Sequence, residues 1–224
     1  GQGCRVAAED GLRRARQLLR DGGILAVKGI GGYHLACDAG NDSAVSELRR
    51  RKRRGAQPFA VMVADAAEAR TLWVLDEGAE RLLSGPQRPL VLMARAPTAR
   101  VAESVAPGNP DLGVMLAYAP LHTLLLGLPG DEPGPAALVM TSGNLGGEPI
   151  CYRDDDAVQR LSHLADGSRT HDRPILVPCD DSVVRSLGAG RALPPRPRRH
   201  ADLVTHRPTP LTYNGQPLYE PKKD

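Results

Sequence analysis

Four stretches hold residue types suited to chemistry on a phosphate-bearing substrate. In Lys28-Gly29-Ile30-Gly31-Gly32-Tyr33-His34 the glycines let backbone N–H groups approach an anion, and Lys28 adds a point charge. The spacing matches neither GxxxxGK(S/T) nor GxGxxG, whose third glycine position is taken by His34, so the stretch fits both a ligand-contacting loop and a plain strand-to-helix turn. Arg49, Arg50, Arg51, Lys52, Arg53 and Arg54 are six consecutive cations. A helix C-terminus favours each by about 0.3–1 kcal/mol. Their mutual repulsion nevertheless calls for an anion, phosphate or nucleic acid, and two of the six are expected to point inward.

Thr141-Ser142-Gly143-Asn144-Leu145-Gly146-Gly147 follows an apolar run directly, where ligands collect in open α/β sheets. Its hydroxyls and amide bind a phosphate or ribose without bringing charge. In Asp180-Asp181-Ser182-Val183-Val184-Arg185, period two puts Ser182 and Arg185 on opposite faces of a strand. The histidines His34, His122, His163, His171, His200 and His206 lack metal-ligand spacing, and neither a GxSxG elbow nor a Cys–His nucleophile is present. What remains is a polyanion site with no protein nucleophile and no protein-bound metal. Such a site suits nucleotidyl transfer, in which positioning and charge neutralisation accelerate the reaction and Mg²⁺ assists.

Alternating elements must position these stretches. Helical periodicity runs from Asp10 to Leu19; Ile24 to Val27 reads as a short buried strand, and Leu35 to Asp38 precedes a helix capped by Asn41, Asp42 or Ser43 that ends in the basic run. Phe59 to Val63, Leu90 to Met93, Gly113 to Leu116, Leu138 to Thr141 and Asp180 to Ser186 read as strands. Ala66 to Leu72, Leu121 to Leu126 and Asp154 to Ala165 read as helices. This pattern predicts an α/β fold with helices packed on an open, twisted mixed sheet.

The chain has 224 residues, a net charge of +3 and 41% hydrophobic residues, with one Trp and one Phe, so its core is built from aliphatic side chains. That charge is too mild to imply a polyanion partner by itself. Cys4, Cys37, Cys151 and Cys179 lie far apart without a CxxC pair, which predicts free thiols in a reducing compartment. No signal pattern or membrane span is present, so a cytoplasmic location is expected. Pro194, Pro195, Pro197, Pro208, Pro210, Pro217 and Pro221 interrupt periodicity beyond Gly190. Residues 1–190 are therefore expected to form the folded domain and 191–224 an extended or disordered tail.

The ordered set of motifs adds Arg51-Lys52-Arg53-Arg54 with Pro58-Phe59-Ala60-Val61-Met62-Val63, Leu112-Gly113-Val114-Met115-Leu116, Gly147-Glu148-Pro149-Ile150 and His171-Asp172-Arg173-Pro174-Ile175 to the stretches above. From about Gly11 to Arg185 the series resembles the YrdC-like domain of HypF, the carbamoyltransferase of NiFe-hydrogenase maturation. The resemblance implies a YrdC-like fold with a concave basic cavity that binds ATP with Mg²⁺. It further implies that carbamate, derived from carbamoyl phosphate, is joined to AMP, and that a neighbouring domain passes the carbamoyl group to a HypE-type partner for the cyanide ligand of the hydrogenase. By position, Lys52 and Arg54 match a KxR pair that holds phosphates, while Thr141, Ser142 and Asn144 belong to a nucleotide motif. Ser182 and Arg185 match a strand lining the cavity, and Lys28, Tyr33 and His34 match a loop facing the acyl substrate.

The chain departs from the family at Ala117, where proline is usual, and at Pro195-Arg196-Pro197-Arg198-Arg199-His200, which replaces an Arg-Arg-x-Arg-Gly-Tyr segment. Acylphosphatase and zinc-finger regions expected upstream, and the transferase domain expected downstream, are not recognisable in it. Two alternatives stay open. The same fold serves threonylcarbamoyl-AMP synthases of tRNA modification, whose entry loop usually reads Pro-Thr-Glu-Thr-x-Tyr-Gly. A basic concave surface also suits double-stranded RNA, as a binding or inactive module.

Overall fold

Two apolar runs flank the first glycine-rich stretch and fold back on each other. β1 (Leu25–Lys28) and β2 (Tyr33–Asp38) pair antiparallel with Lys28 opposite Tyr33, and the Gly29 N–H donates to Gly32 O at 2.8 Å. The stretch is thus a hairpin turn and does not lead from strand to helix. The computed structural model of the chain describes residues 8–128, 130–179, 181–186, 192–193, 212–213 and 216–217.

Six helices are described: α1 (Ala8–Arg20), α2 (Asp42–Lys52), α3 (Ala66–Leu72), α4 (Glu77–Ser84), α5 (Pro120–Leu126) and α6 (Asp154–Leu161). The remaining strands are β3 (Ala60–Val63), β4 (Leu90–Ala94), β5 (Asp111–Leu116), β6 (Ala137–Ser142), β7 (Gly167–Arg169), β8 (Val183–Ser186) and β9 (Ala192–Leu193). They form a nine-stranded mixed sheet in the order β7-β1-β2-β6-β3-β5-β4-β8-β9. Pairs β1·β7, β3·β5 and β4·β8 are parallel and the others antiparallel. This is the expected α/β class. Strand alternation sends Leu25, Val27, Met62 and Met140 to the side of Leu19 and Leu125, from α1 and α5. It sends Leu35, Val61, Val114 and Val139 to the side of Leu48, Ala69, Leu83 and Leu161, from α2, α3, α4 and α6.

Differences from expectation have local causes. α4 is stopped from reading as periodic by Gly78, although Asp76 caps it by accepting from Ala79 N–H at 2.6 Å. β7 is three polar residues held by the edge of β1, so it has no pattern of its own. β8 starts at Val183, not Asp180; α6 stops at Leu161, before Ala165; α1 begins at Ala8, ahead of Asp10. The chain divides into two compact units, Gly1–Pro194 and Pro195–Asp224; within the second, β10 (Thr212–Tyr213) pairs antiparallel with β11 (Gln216–Pro217). Of the expected tail, Ala192–Leu193 forms β9, paired with β8 in the large sheet; the tail outside β9, β10 and β11, and the expected boundary after Gly190, lie outside the described residues. Among those described, no helix is long and apolar enough to cross a membrane.

Candidate functional site

Register brings the chemically interesting stretches to one end of the sheet. His34 pairs with Ser142, Ala60 with both Met140 and Gly113, Ala94 with Asp111, and Leu92 with Arg185. The last residues of β1, β6, β4 and β8 therefore lie at the same end as the first residues of β2, β3 and β5. Lys28, Tyr33, His34, Ser142, Asp111 and Arg185 gather there from across the sequence.

Lys52 reaches this end from α2. Asn41 starts that helix by accepting from Ala44 N–H at 3.1 Å, and Ala44, Leu48 and Lys52 recur every fourth residue on its buried side. Only 1% of Lys52 is exposed. Its Nζ donates to Ser142 O at 2.6 Å, Asn144 O at 2.7 Å and Asn144 Oδ1 at 3.0 Å, the three acceptors that an ammonium can satisfy. Burial, helped by the Arg54 charge, pulls its pKa down to about 7. Ser142 Oγ donates to Asn144 Oδ1 at 2.7 Å, and Asn144 Nδ2 donates to Glu148 O at 2.5 Å. Lys52 of the KxR pair and the Ser-x-Asn motif are thus one hydrogen-bonded unit.

Arg49, Arg50, Arg51 and Arg54 of the run have local partners. Arg50 and Arg51 both hold Glu47, drawing its pKa down to about 2, and Arg51 also reaches Asp166 at 2.8 Å. Arg49 donates to the Ser104 and Val105 carbonyls. Arg49 and Arg54 stack on Phe59, at 4.6 and 4.9 Å from the ring centroid, and Arg54 donates to Pro58 O at 2.9 Å. Carboxylates of the same chain thus offset Arg50 and Arg51, while Lys52, Arg49 and Arg54 meet neutral carbonyl oxygens and keep their charge.

Lys28 and Tyr33 stand in strands, at the mouth of the hairpin and not on its turn. Lys28 is 1% exposed, and its Nζ lies 2.7 Å from Asp154 Oδ1 while donating to His171 O at 3.0 Å. Tyr33 donates to the same Asp154 oxygen at 2.7 Å. Asp154, missed in the sequence, opens α6; its carboxyl is held below the usual range first by Lys28 and then by Tyr33. Burial, followed by Asp154, pushes the Tyr33 phenol up. The signal was the run Asp154-Asp155-Asp156 at a helix start, which reads as capping until Lys28 is seen beside it.

Close backbone approaches fix the unit. Gly143 N–H donates to Tyr33 O at 2.6 Å, and a Cβ at Gly143 would sit 2.7 Å from that oxygen. A Cβ at Gly31 would lie 2.6 Å from Cys179 O, whose own N–H donates to Gly31 O at 3.0 Å. His34 projects to the opposite side of β2 from Tyr33, toward Tyr118, whose hydroxyl is 3.2 Å from His34 Nε2. Thr141 is buried opposite Leu35. Arg185 pairs with Asp111 at 2.6 Å, while Ser182 is exposed one residue before β8 and its carbonyl accepts from Leu90 N–H at 2.8 Å. Two adjoining clefts, of about 650 and 530 Å³, share Asp38, Gly40 and Arg100 at the far end of β2 and are not the basic cavity that the resemblance implies.

A family model named Sua5_yciO_yrdC and described as "Telomere recombination" matches residues 17–193. The chain belongs to the Sua5/YciO/YrdC family. Carbamoyltransferase HypF2 of Cupriavidus necator is 46% identical over 198 residues, which cover 84% of this chain and 24% of that protein. Threonylcarbamoyl-AMP synthase of Stenotrophomonas maltophilia is 30% identical over 162 residues, 70% of this chain and 83% of that one. The crystal structure of full-length HypF in its phosphate- and nucleotide-bound form superposes with a TM-score of 0.72 at 40% identity, covering 78% of this chain and 27% of that one. This Sua5/YciO/YrdC chain thus spans about a quarter of the length of its HypF relatives. The named enzymes among these relatives are transferases or adenylate synthases.

Proposed function

We propose that residues 1–190 form the adenylate-making domain of a HypF-type carbamoyltransferase working in the cytoplasm. Carbamate, released from carbamoyl phosphate, attacks the α-phosphorus of MgATP through a carboxylate oxygen; the new O–P bond gives carbamoyl-AMP and pyrophosphate leaves. A transferase domain then passes the carbamoyl group to a HypE-type partner, toward the cyanide ligand of NiFe hydrogenase. The observation that carries this reading is Lys52 bound to Ser142 and Asn144, joining the two motifs by which the chain resembles HypF.

In this reading Lys52 supplies charge from behind the 142–144 turn, while Arg54 and Arg185 grip phosphate oxygens at the rim of a basic cavity. Thr141, Ser142, Asn144 and Ser182 hold the nucleotide, and Lys28, Tyr33 and His34 face the acyl group. No side chain acts as nucleophile. Mg²⁺ enters in this reading as part of the MgATP substrate.

Threonylcarbamoyl-AMP synthesis is the second reading, favoured by the 83% of that relative which the chain covers. The test is mass spectrometry of adenylates after incubation with MgATP and bicarbonate, with carbamate in one tube and threonine in the other. Carbamoyl-AMP in the first tube alone supports the HypF-type reading. Threonylcarbamoyl-AMP replaces it with the second, and ATP or RNA binding without either product leaves a binding module.

A further inference from the structure

The segment 143–151, which carries Asn144, is closed at its base by the Cys151 N–H, which donates to Gly143 O at 2.9 Å. Gly146 and Gly147 stand in its middle, Gly147 at a φ of +88°, and give the backbone a freedom that a contact from outside restrains. That contact comes from α6. Ala157 and Leu161 seat the helix in the core, and the half-buried Arg160 donates from Nη1 to Asp156 on the preceding turn at 2.9 Å. Its Nη2 crosses to the segment, where it donates to the Glu148 carboxylate at 2.8 Å and to Pro149 O at 2.9 Å. The backbone carbonyl of the same Glu148 accepts from Asn144 Nδ2.

Donor and acceptor are fixed at Asn144. An ammonium only donates, so the amide atom 3.0 Å from Lys52 Nζ is the oxygen, and the nitrogen faces the Glu148 carbonyl. A guanidinium likewise only donates, so each Arg160 contact has one sense. We propose that Arg160 is a positioning residue: by holding Glu148 and Pro149 against α6 it keeps the Glu148 carbonyl on Asn144 Nδ2 and thereby aims Asn144 Oδ1 at Lys52 and Ser142. It acts through Asn144. The inference deepens the nucleotide-binding role given to Asn144 and rests on that reading for its use, because a turn held from α6 is ordered before MgATP arrives and spares binding that cost.

The experiment is hydrogen exchange of the Asn144 side-chain amide, followed by ¹⁵N–¹H NMR in the full chain, with that signal assigned by its absence in Asn144→Ala. The wild type is expected to protect the amide. Arg160→Ala should speed its exchange about tenfold, while the backbone amides of β3 and β5 keep their rates. Arg160→Lys keeps the charge without the fork and should restore part of the protection. An unprotected amide in the wild type, or equal exchange in wild type and Arg160→Ala, overturns the proposal. So does equal acceleration of the β3 and β5 amides, which would make Arg160 a support of the whole fold. By calorimetry Arg160→Ala should also weaken MgATP binding about tenfold, and an unchanged affinity would contradict the positioning role. A wild type that binds no MgATP sinks the nucleotide reading, and the exchange rates still decide whether Arg160 places Asn144.

Discussion

Lys52 and Asn144, 92 residues apart, meet through Nζ contacts to both oxygens of the asparagine, at 2.7 and 3.0 Å. Removing the ammonium strands these two acceptors and Ser142 O inside the protein. Lys52→Met, which keeps the aliphatic stem, is expected to lower unfolding stability by about 1–3 kcal/mol and to abolish detectable adenylate formation. Denaturant titration and the mass-spectrometric assay check the two parts separately. An unchanged rate of adenylate formation would overturn the role given to Lys52.

With Lys52 at the proposed nucleotide site, its depressed pKa, about 7, predicts that nucleotide binding is pH-linked. Free protein loses the charge as pH rises through that value, whereas a bound polyphosphate favours the ammonium. Binding should therefore take up protons between pH 7 and the ordinary lysine range, and MgATP affinity should fall as pH rises through 7. Calorimetry at pH 8 in two buffers of unlike ionisation enthalpy measures the uptake directly; zero uptake, or uptake that persists in Lys52→Met, contradicts the linkage.

Asp154→Ala leaves Lys28 buried without its carboxylate. Because the Asp154 side chain is 55% exposed, water reaches the gap and reduces the cost. The expected loss is about 1–3 kcal/mol, below that of a sealed ion pair. Lys28→Met in the Asp154→Ala background should recover part of it, and a double-mutant cycle reads the coupling. Additive losses would mean that the pair carries no interaction energy.

Gly143→Ala drives a methyl toward the Tyr33 carbonyl, a backbone atom that cannot swing away. A loss of about 1–3 kcal/mol is expected from overpacking, with weaker nucleotide binding because the 142–144 turn shifts. Gly55 has no atom within 4 Å of where a Cβ would stand and provides the control: Gly55→Ala should be neutral or stabilising. Thermal melts of the two variants decide the matter.

Arg185 is ion-paired with Asp111, and its side chain is 49% exposed. If it grips phosphate, Arg185→Ala should weaken MgATP binding by about 1.5–3 kcal/mol, the worth of a hydrogen bond to a charged group. Asp111→Asn, which frees the guanidinium, should strengthen binding of inorganic triphosphate. Equal affinities for all three proteins would remove Arg185 from the site.

Local signals carried much of this fold. Both ends of α3 follow from its periodicity and from Asp65, which accepts from Glu68 N–H at 2.9 Å. The inward turn of Lys52 follows from its four-residue spacing behind Leu48. What could not be read locally was pairing across the chain. Whether Lys28-to-His34 led into a helix or folded back depended on β1 finding β2, and Asp154 gained meaning only beside Lys28, 126 residues earlier. Arg50 and Arg51 looked like surplus charge because Glu47 and Asp166 lie, respectively, on the preceding turn and 115 residues away.

The sheet order has a kinetic consequence. Contacts such as Lys28 to Asp154 and Arg185 to Asp111 span 126 and 74 residues, so the end of the sheet that holds them closes only after long stretches of chain have been ordered. Loop closure on this scale places such pairings late and slows folding relative to helical proteins of the same size. A ligand that binds there recognises only the finished molecule. At a hundred times its dissociation constant it would add about 2.7 kcal/mol to the stability of the native state, so MgATP should raise the melting temperature of the domain.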